Sequence, residues 1–160
     1  MKLKTGILQN LTNSLDCDYG CIYESPKTRI YDCNNNKVIV VTKEYPKYLY
    51  YKHALENGQY QHIPKIYDLM EDVVNKIYII RREELYPIVD VKKITRLEIV
   101  KNAINEKIWV KDKIVQEVLT FDYFIINNNH NKFKLDFGPH CFMETKNKKI
   151  VVSDLFMEQY

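Results

Sequence analysis

The chain has 160 residues, of which 46% are apolar and 28% are charged, and its net charge is +3. This length fits one domain with a substantial core, and the absence of eighteen consecutive apolar residues argues against a membrane span. Its 24 Lys and Arg are interleaved with 21 Asp and Glu, which argues against a dedicated nucleic-acid binder.

The N-terminus and the cysteines indicate a cytoplasmic protein. Residues 1–6 contain neither an apolar run nor a small-residue cleavage site, so we expect no secretion signal. Four cysteines in a chain of this length do not form a disulfide scaffold, so we expect reduced thiols.

The first part of the chain is predicted to be rich in β-strands. Three antiparallel strands joined by turns are predicted over residues 19–24, 29–32 and 37–42. A helix follows, because Pro46 suits a first helical turn and Gly58 suits a C-terminal stop. Two further strands are predicted over residues 63–69 and 76–82.

The second part of the chain is predicted to be helical before it returns to short strands. Thr95 is predicted to cap a helix, and a second helix is predicted to end at the Asn127–Asn129 run. Their apolar stripes are Leu97, Val100 and Ile104, then Ile114, Val118, Phe121 and Ile125. Strand or loop segments are predicted over residues 133–136, 141–144 and 150–154. The pattern as a whole predicts a mixed α+β fold.

Two aspartates in the last part of the chain are the candidate chemical groups. Asp136 and Asp154 lie 18 residues apart, each at the end of a predicted strand segment. Two carboxylates at adjacent loop ends could handle a substrate hydroxyl and a divalent metal. The alternative is that each aspartate only ends a strand or caps a turn.

These residues and the order of elements resemble the protein-kinase fold, and most closely the short kinase-like proteins of bacteriophages and bacterial effectors. Kinases place an Asn five residues after the catalytic-loop Asp, and the metal-binding Asp thirteen residues after that. Here the same intervals lead from Asp136 to Cys141 and Asp154. The resemblance thus implies a catalytic role for Asp136 and a metal site at Asp154. The resemblance does not use the Asp136–Gly138 triplet as the metal-binding motif. If that triplet were the motif, the other motif positions would fall inside a predicted helix.

The resemblance extends to the first part of the chain. It implies that Gly20 belongs to the phosphate loop and that Lys43 pairs with phosphates as a catalytic and cofactor-binding residue. It also implies that Glu84 is a cofactor-binding residue of the hinge, although the charged run Arg81–Glu84 is expected to be solvated. The implied architecture is a single kinase-like domain over residues 1–160. An N-lobe over residues 1–86 would hold five antiparallel strands and one helix, and residues 87–160 would form a truncated helical C-lobe.

Several residues depart from the kinase pattern. Asp16 and Asp18 occupy two of the three glycine positions, where carboxylates would repel a polyanion. Cys141 replaces the metal-binding amide, and a thiol is a poor ligand for Mg²⁺. The tightest alignment puts Val40 or Val41 at the lysine position, so Lys43 is alternatively an exposed strand-end lysine. The chain ends six residues after Asp154, so we expect no activation segment.

These departures favour a degenerate kinase-like protein, or pseudokinase, over an enzyme. Our leading hypothesis is that it acts mainly by binding another protein, a host protein if the chain is phage-encoded, and needs no cofactor. The first alternative is an active minimal protein kinase that uses Mg²⁺ and ATP. The second is a nucleic-acid-associated protein whose binding weakens steeply with salt. A zinc site at Cys17, Cys21 and Cys33 is disfavoured because no second close pair accompanies it.

Overall fold

The computed structural model describes residues 17–128 and 133–158, and residues 17–19 by their backbone alone. Asp16 of the predicted phosphate loop and Asn129 of the predicted helix end therefore lie outside the described residues. The side chain of Asp18 lies outside them as well. None of the helices in the described ranges combines the length and apolar character that crossing a membrane requires.

A five-stranded antiparallel sheet forms the first part of the fold, as predicted. Its strands are β1 Cys17–Glu24, β2 Thr28–Cys33, β3 Lys37–Thr42, β4 Ile66–Asp72 and β5 Ile77–Glu83. They are ordered β1-β2-β3-β5-β4, and all neighbours are antiparallel. β4 begins later than predicted because the carbonyl oxygens of His62 and Ile63 instead accept hydrogen bonds from Val152 and Lys149.

Helix α1, Tyr45–Asn57, lies between β3 and β4 and has the predicted signals at its ends. Pro46 lies in its first turn, where a missing N–H costs no helical hydrogen bond. Gly58 ends the helix in the left-handed conformation with φ of 64°, and its N–H donates to the Ala54 carbonyl oxygen at 3.1 Å.

Two more helices follow the sheet: α2, Val91–Asn105, and α3, Lys113–Asn127. Our assignment of Thr95 as the cap of the first is wrong. The Asp90 carboxylate accepts a hydrogen bond from the Lys93 N–H at 3.0 Å and caps α2, which places Thr95 in the second turn. The Thr95 hydroxyl instead donates to the Val91 carbonyl oxygen at 2.9 Å. The predicted apolar stripes of both helices are buried.

Four short strands complete the described chain: β6 Phe133–Leu135, β7 Phe142–Glu144, β8 Ile150–Val152 and β9 Phe156–Glu158. β7 and β8 form a hairpin, and β6 pairs with β9, a strand that the sequence did not predict. The hairpin contacts the segment that follows β5 through paired backbone hydrogen bonds of 2.8 and 2.9 Å between Tyr86 and Glu144. The fold is therefore α+β, with a five-stranded antiparallel sheet and three helices in the described residues.

One hydrophobic core runs through these elements. It includes Val40 and Ile80 of the sheet, Tyr51 of α1, Phe121 of α3 and Phe156 of β9. The cysteines depart from expectation at one position: Cys33 is disulfide-bonded, whereas Cys21 and Cys141 are free thiols. The prediction of reduced cysteines is thus wrong for Cys33.

Candidate functional site

A cavity of about 200 Å³ lies between the five-stranded sheet, α1 and the β7–β8 hairpin. Most of its wall is apolar, because alternate residues of each strand point to the same face of the sheet. The apolar lining residues are Ile22, Ile30, Val38, Val40, Ile80, Leu85 and Met143. The polar lining residues are Lys47, Arg82, Glu84, His140, Ser153 and Asp154, together with the hydroxyl-bearing Tyr23 and Tyr51.

An ion-pair network closes the polar side of the cavity. Lys47 reaches in from the first turn of α1, and its Nζ lies 3.4 Å from Asp154 Oδ2 and 3.6 Å from Glu44 Oε2. The Lys47 side chain is only 12% exposed, so its charge is largely removed from water. Pairing with two carboxylates offsets that loss of hydration, and it places an ammonium group beside the Asp154 carboxylate.

Tyr51 holds the segment before Asp154 against α1. Its hydroxyl lies 3.3 Å from the carbonyl oxygens of both Val152 and Ser153, to which it donates. Burial raises the pKa of Tyr51 to about 12, because the phenolate would lose its hydration. The hydroxyl therefore remains a donor at neutral pH and fixes the position of the loop that carries Asp154.

Arg82 is a buried cation in the cavity wall. It is 6% exposed, and its Nη1 donates to the neighbouring Glu83 carbonyl oxygen at 2.8 Å. Burial lowers the pKa of Arg82, since the charged form is the one that loses hydration. The expectation that the Arg81–Glu84 run is solvated is therefore wrong for Arg82.

Two of the predicted site residues line the cavity. Asp154 does so beside Lys47, and Glu84 does so with its Oε2 accepting a hydrogen bond from the Tyr86 hydroxyl at 3.2 Å. Asp136 is exposed and is not part of the lining, but its N–H donates to the Leu155 carbonyl oxygen at 2.7 Å. The fold thus brings Asp136 beside the residue that follows Asp154.

Lys43 and Gly20 are not among the lining residues. Lys43 is exposed beyond the end of β3, where its N–H donates to the Lys27 carbonyl oxygen at 2.9 Å. The side chains that β3 directs into the cavity are Val38 and Val40. Gly20 is exposed on β1, and a Cβ added there would contact nothing within 4 Å.

The residues around Asp154 do not fit a magnesium site. Cys141 is buried, and burial raises the pKa of its thiol, which therefore stays neutral and soft. Its carbonyl oxygen is already used, since it accepts hydrogen bonds from the Ser153 and Asp154 N–H groups at 2.9 and 3.3 Å. Within the described ranges no group of three or more His, Cys, Asp or Glu side chains is placed to hold a metal ion.

Sequence reasoning missed the two cations of the cavity, Lys47 and Arg82. Alternation along β5 puts Arg82 on the face of Ile80 and Arg81 on the face of Ile79, so the local pattern does not show which arginine lines the cavity. Lys47 lies four residues before Tyr51, so the two residues share one face of α1. This spacing is only a weak indication that Lys47 belongs to the site.

No protein-family model matches the chain, and no curated protein matches it either. The function must therefore be argued from the cavity and its side chains.

Proposed function

We propose that the chain is a catalytically degenerate kinase-like protein that acts mainly by binding another protein. The observation that carries this proposal is the 3.4 Å ion pair between Lys47 and Asp154. It places an ammonium group against the carboxylate that would have to hold Mg²⁺ in a phosphotransferase. A carboxylate paired with an ammonium group, and belonging to no group of three or more His, Cys, Asp or Glu side chains within the described residues, is a poor magnesium site.

The sheet side of the cavity also lacks groups for phosphate transfer. β3 directs Val38 and Val40 into the cavity. The kinase resemblance puts Val40 or Val41 at the lysine position, and Lys43 is exposed outside the lining. Arg82 fills part of the wall and takes the Glu83 carbonyl oxygen, which is then less available to a ligand. A kinase-like scaffold without these groups is better suited to recognition than to catalysis.

A protein partner is supported by the apolar surface of the loop between α2 and α3. Ile108 and Trp109 are 49% and 59% exposed there. Tryptophan and other large apolar residues are enriched in the buried centres of protein interfaces. If the chain is phage-encoded, we propose that the partner is a host protein. We also propose that the protein acts in the cytoplasm.

The second candidate is an active minimal protein kinase, and one observation favours it. The hydrogen bond from Asp136 to Leu155 brings the two candidate carboxylates onto neighbouring backbone segments. In this alternative Asp136 would orient a substrate hydroxyl and Lys43 would pair with phosphates. Asp154 would be freed from Lys47 to hold Mg²⁺.

Nucleotide binding separates the two candidates. We expect neither a thermal shift on titration with Mg·ATP nor transfer of labelled phosphate to the chain or to a generic protein substrate. A ligand at 100 times its Kd would add about 2.7 kcal/mol of stability, so binding would be visible. A magnesium-dependent shift, with transfer that Asp154→Ala abolishes, would establish the active kinase instead.

A second experiment asks whether the two candidate carboxylates are needed for partner binding. A partner captured with the tagged protein would be purified, and its Kd measured for wild type and for the Asp136→Asn/Asp154→Asn double variant. We expect the two Kd values to agree within about twofold, because recognition of a scaffold does not use these charges. If the double variant binds the partner more than tenfold more weakly than wild type, partner binding depends on the catalytic positions, and this part of the proposal is wrong. Affinity for nucleic acid that falls steeply with salt would instead indicate the nucleic-acid-associated protein.

A further inference from the structure

Arg82 is a buried charge that no carboxylate pairs with among the described residues. None of the ion pairs found there includes it. Its one hydrogen bond is the contact from Nη1 to the Glu83 carbonyl oxygen. A guanidinium group carries five N–H donors, so most of its donor capacity is unused. A buried cation in this state is costly unless something else pairs with it.

The unused donors of Arg82 open into the cavity. Arg82 lines the cavity. Among the described residues, the buried side-chain nitrogen and oxygen atoms without a hydrogen-bond partner include Nε of Arg81 but neither Nε nor Nη2 of Arg82. The reason is the register of the sheet: Arg82 lies opposite Val38 on the face of β5 that it shares with Ile80. The guanidinium is therefore a preformed anion site at the end of an apolar chamber.

The other charged side chains of the cavity already have partners. Lys47 is paired with both Glu44 and Asp154, so its ammonium group is not free for an incoming anion. The Glu84 carboxylate is held by the Tyr86 hydroxyl at 3.2 Å. Arg82 is thus the cation of the lining whose donors are mostly unused, although the Glu83 and Glu84 carboxylates act on its charge through space.

From these observations we infer that the cavity binds a small aromatic carboxylate, with the carboxylate on Arg82 and the ring between the apolar walls. A carboxylate matches the planar fork of a guanidinium with two parallel hydrogen bonds. The ring would lie among Ile30, Val38, Val40 and Ile80. This inference goes beyond the proposed function and does not depend on it.

The size of the cavity restricts the ligand. Its volume of about 200 Å³ is below the range of about 300 to 1,000 Å³ typical of sites for drug-sized molecules. One or two fused rings with a single carboxylate would fill it, whereas a nucleoside triphosphate would not fit. A single negative charge also matches the single unpaired guanidinium.

The test is calorimetric titration of the full chain with 2-naphthoate and, as a neutral probe of the same shape, 2-naphthamide. We expect saturable one-to-one binding of 2-naphthoate with a Kd on the order of 0.1 to 1 mM. The amide should bind roughly tenfold more weakly or worse, because it cannot form the charge-assisted pair. Absence of saturable naphthoate binding, or equal affinity for the two probes, would overturn the inference.

Variants then assign the contact to Arg82. Arg82→Met should weaken naphthoate binding about tenfold and remove the preference over the amide, and Arg82→Lys should give an intermediate loss. Arg81→Met is the matched control, since Arg81 lies on the opposite face with its guanidinium carbon 5.5 Å from the Tyr67 ring centre. Unchanged naphthoate binding in Arg82→Met, or an equal loss in Arg81→Met, would contradict the assignment. The comparison of the two probes on wild type remains decisive if Arg82→Met does not fold.

Discussion

Glu117 shows how one buried carboxylate can connect distant parts of this chain. Its side chain on α3 is only 4% exposed and lies against the segment that leads into β4. It accepts hydrogen bonds from the backbone N–H groups of Gln61 and His62, and its Oε2 lies 2.6 Å from His62 Nδ1. Three donors on one buried carboxylate fix the position of the loop between α1 and β4 relative to α3.

We therefore expect Glu117→Ala to lower the free energy of unfolding by about 1.5 to 3 kcal/mol, because three part-buried donors lose a charged acceptor. Urea unfolding at neutral pH measures this change. Glu98→Ala is the control: Glu98 is exposed and paired only with Lys101, so its loss should cost less than about 0.5 kcal/mol. Equal effects of the two substitutions would show that the contacts of Glu117 do not stabilise the fold.

At the level of single residues, the sequence predicted some site positions and missed others for a definite reason. Asp154 and Glu84 line the cavity, whereas Lys43 is exposed outside it. Arg81 and Arg82 are indistinguishable by composition, and only the register of β5 against β3 decides which one is buried. That register depends on contacts between distant segments, which a local pattern does not contain.

Gly58, at the end of α1, and Gly20, within β1, have different roles. Gly58 ends α1 with φ of 64°, a conformation that side chains with a Cβ disfavour. Gly20 lies on β1 without a positive φ. A Cβ would contact nothing within 4 Å at either position, so the backbone conformation alone distinguishes them.

From this difference we expect Gly58→Ala to lower the free energy of unfolding by about 1 kcal/mol. Gly20→Ala should be neutral or slightly stabilising, since it restricts the unfolded chain without straining the folded one. Denaturant unfolding of both variants provides the measurement. A loss for Gly20→Ala as large as that for Gly58→Ala would contradict the ordinary strand geometry of Gly20.

The long elements were predictable because each carries local signals. The five strands and the centres of the helices follow from alternation, apolar stripes and the Pro46 and Gly58 signals. The start of α2 was misplaced because its first apolar residues, Val91 and Ile94, are exposed and do not belong to the buried stripe. β6 and β9 have three residues each, and they are strands only because they pair with each other across twenty residues of chain.

On the scale of the whole molecule, buried tyrosines connect the sheet, the helices and the final strands. Tyr50 of α1 contacts Phe121 of α3 and Phe156 of β9, with ring centres 4.9 and 5.9 Å apart. Burial raises the pKa of Tyr50, Tyr51 and Tyr60, because each phenolate would lose its hydration. These rings therefore make the stability of the whole fold sensitive to alkaline pH.

We expect the free energy of unfolding to be insensitive to these groups below the ordinary tyrosine pKa of about 10 and to fall above it. The sign follows from the raised pKa values: the unfolded chain loses the phenolic protons first, so rising pH favours unfolding. For Tyr51 the decline should extend to about pH 12. Denaturant unfolding at a series of pH values from about 8 to about 11 measures the change in stability, and the ultraviolet absorbance of phenolate follows the ionisation.

Tyr51→Phe is the matched variant for the alkaline experiment. It should reduce the slope of stability against pH above 10, and at neutral pH it should cost about 1 kcal/mol through the lost hydrogen bonds to Val152 and Ser153. Ionisation of all tyrosines near pH 10 with the fold intact would contradict the burial described here.

The free thiol of Cys21 offers a place for a reporter. Among the cysteine side chains that the structure describes, Cys21 is exposed, Cys33 is disulfide-bonded and Cys141 is buried. The next two residues of β1, Ile22 and Tyr23, form part of the cavity lining. A maleimide fluorophore attached at position 21 would therefore sit at the rim of the chamber, where its emission could follow filling and emptying in real time.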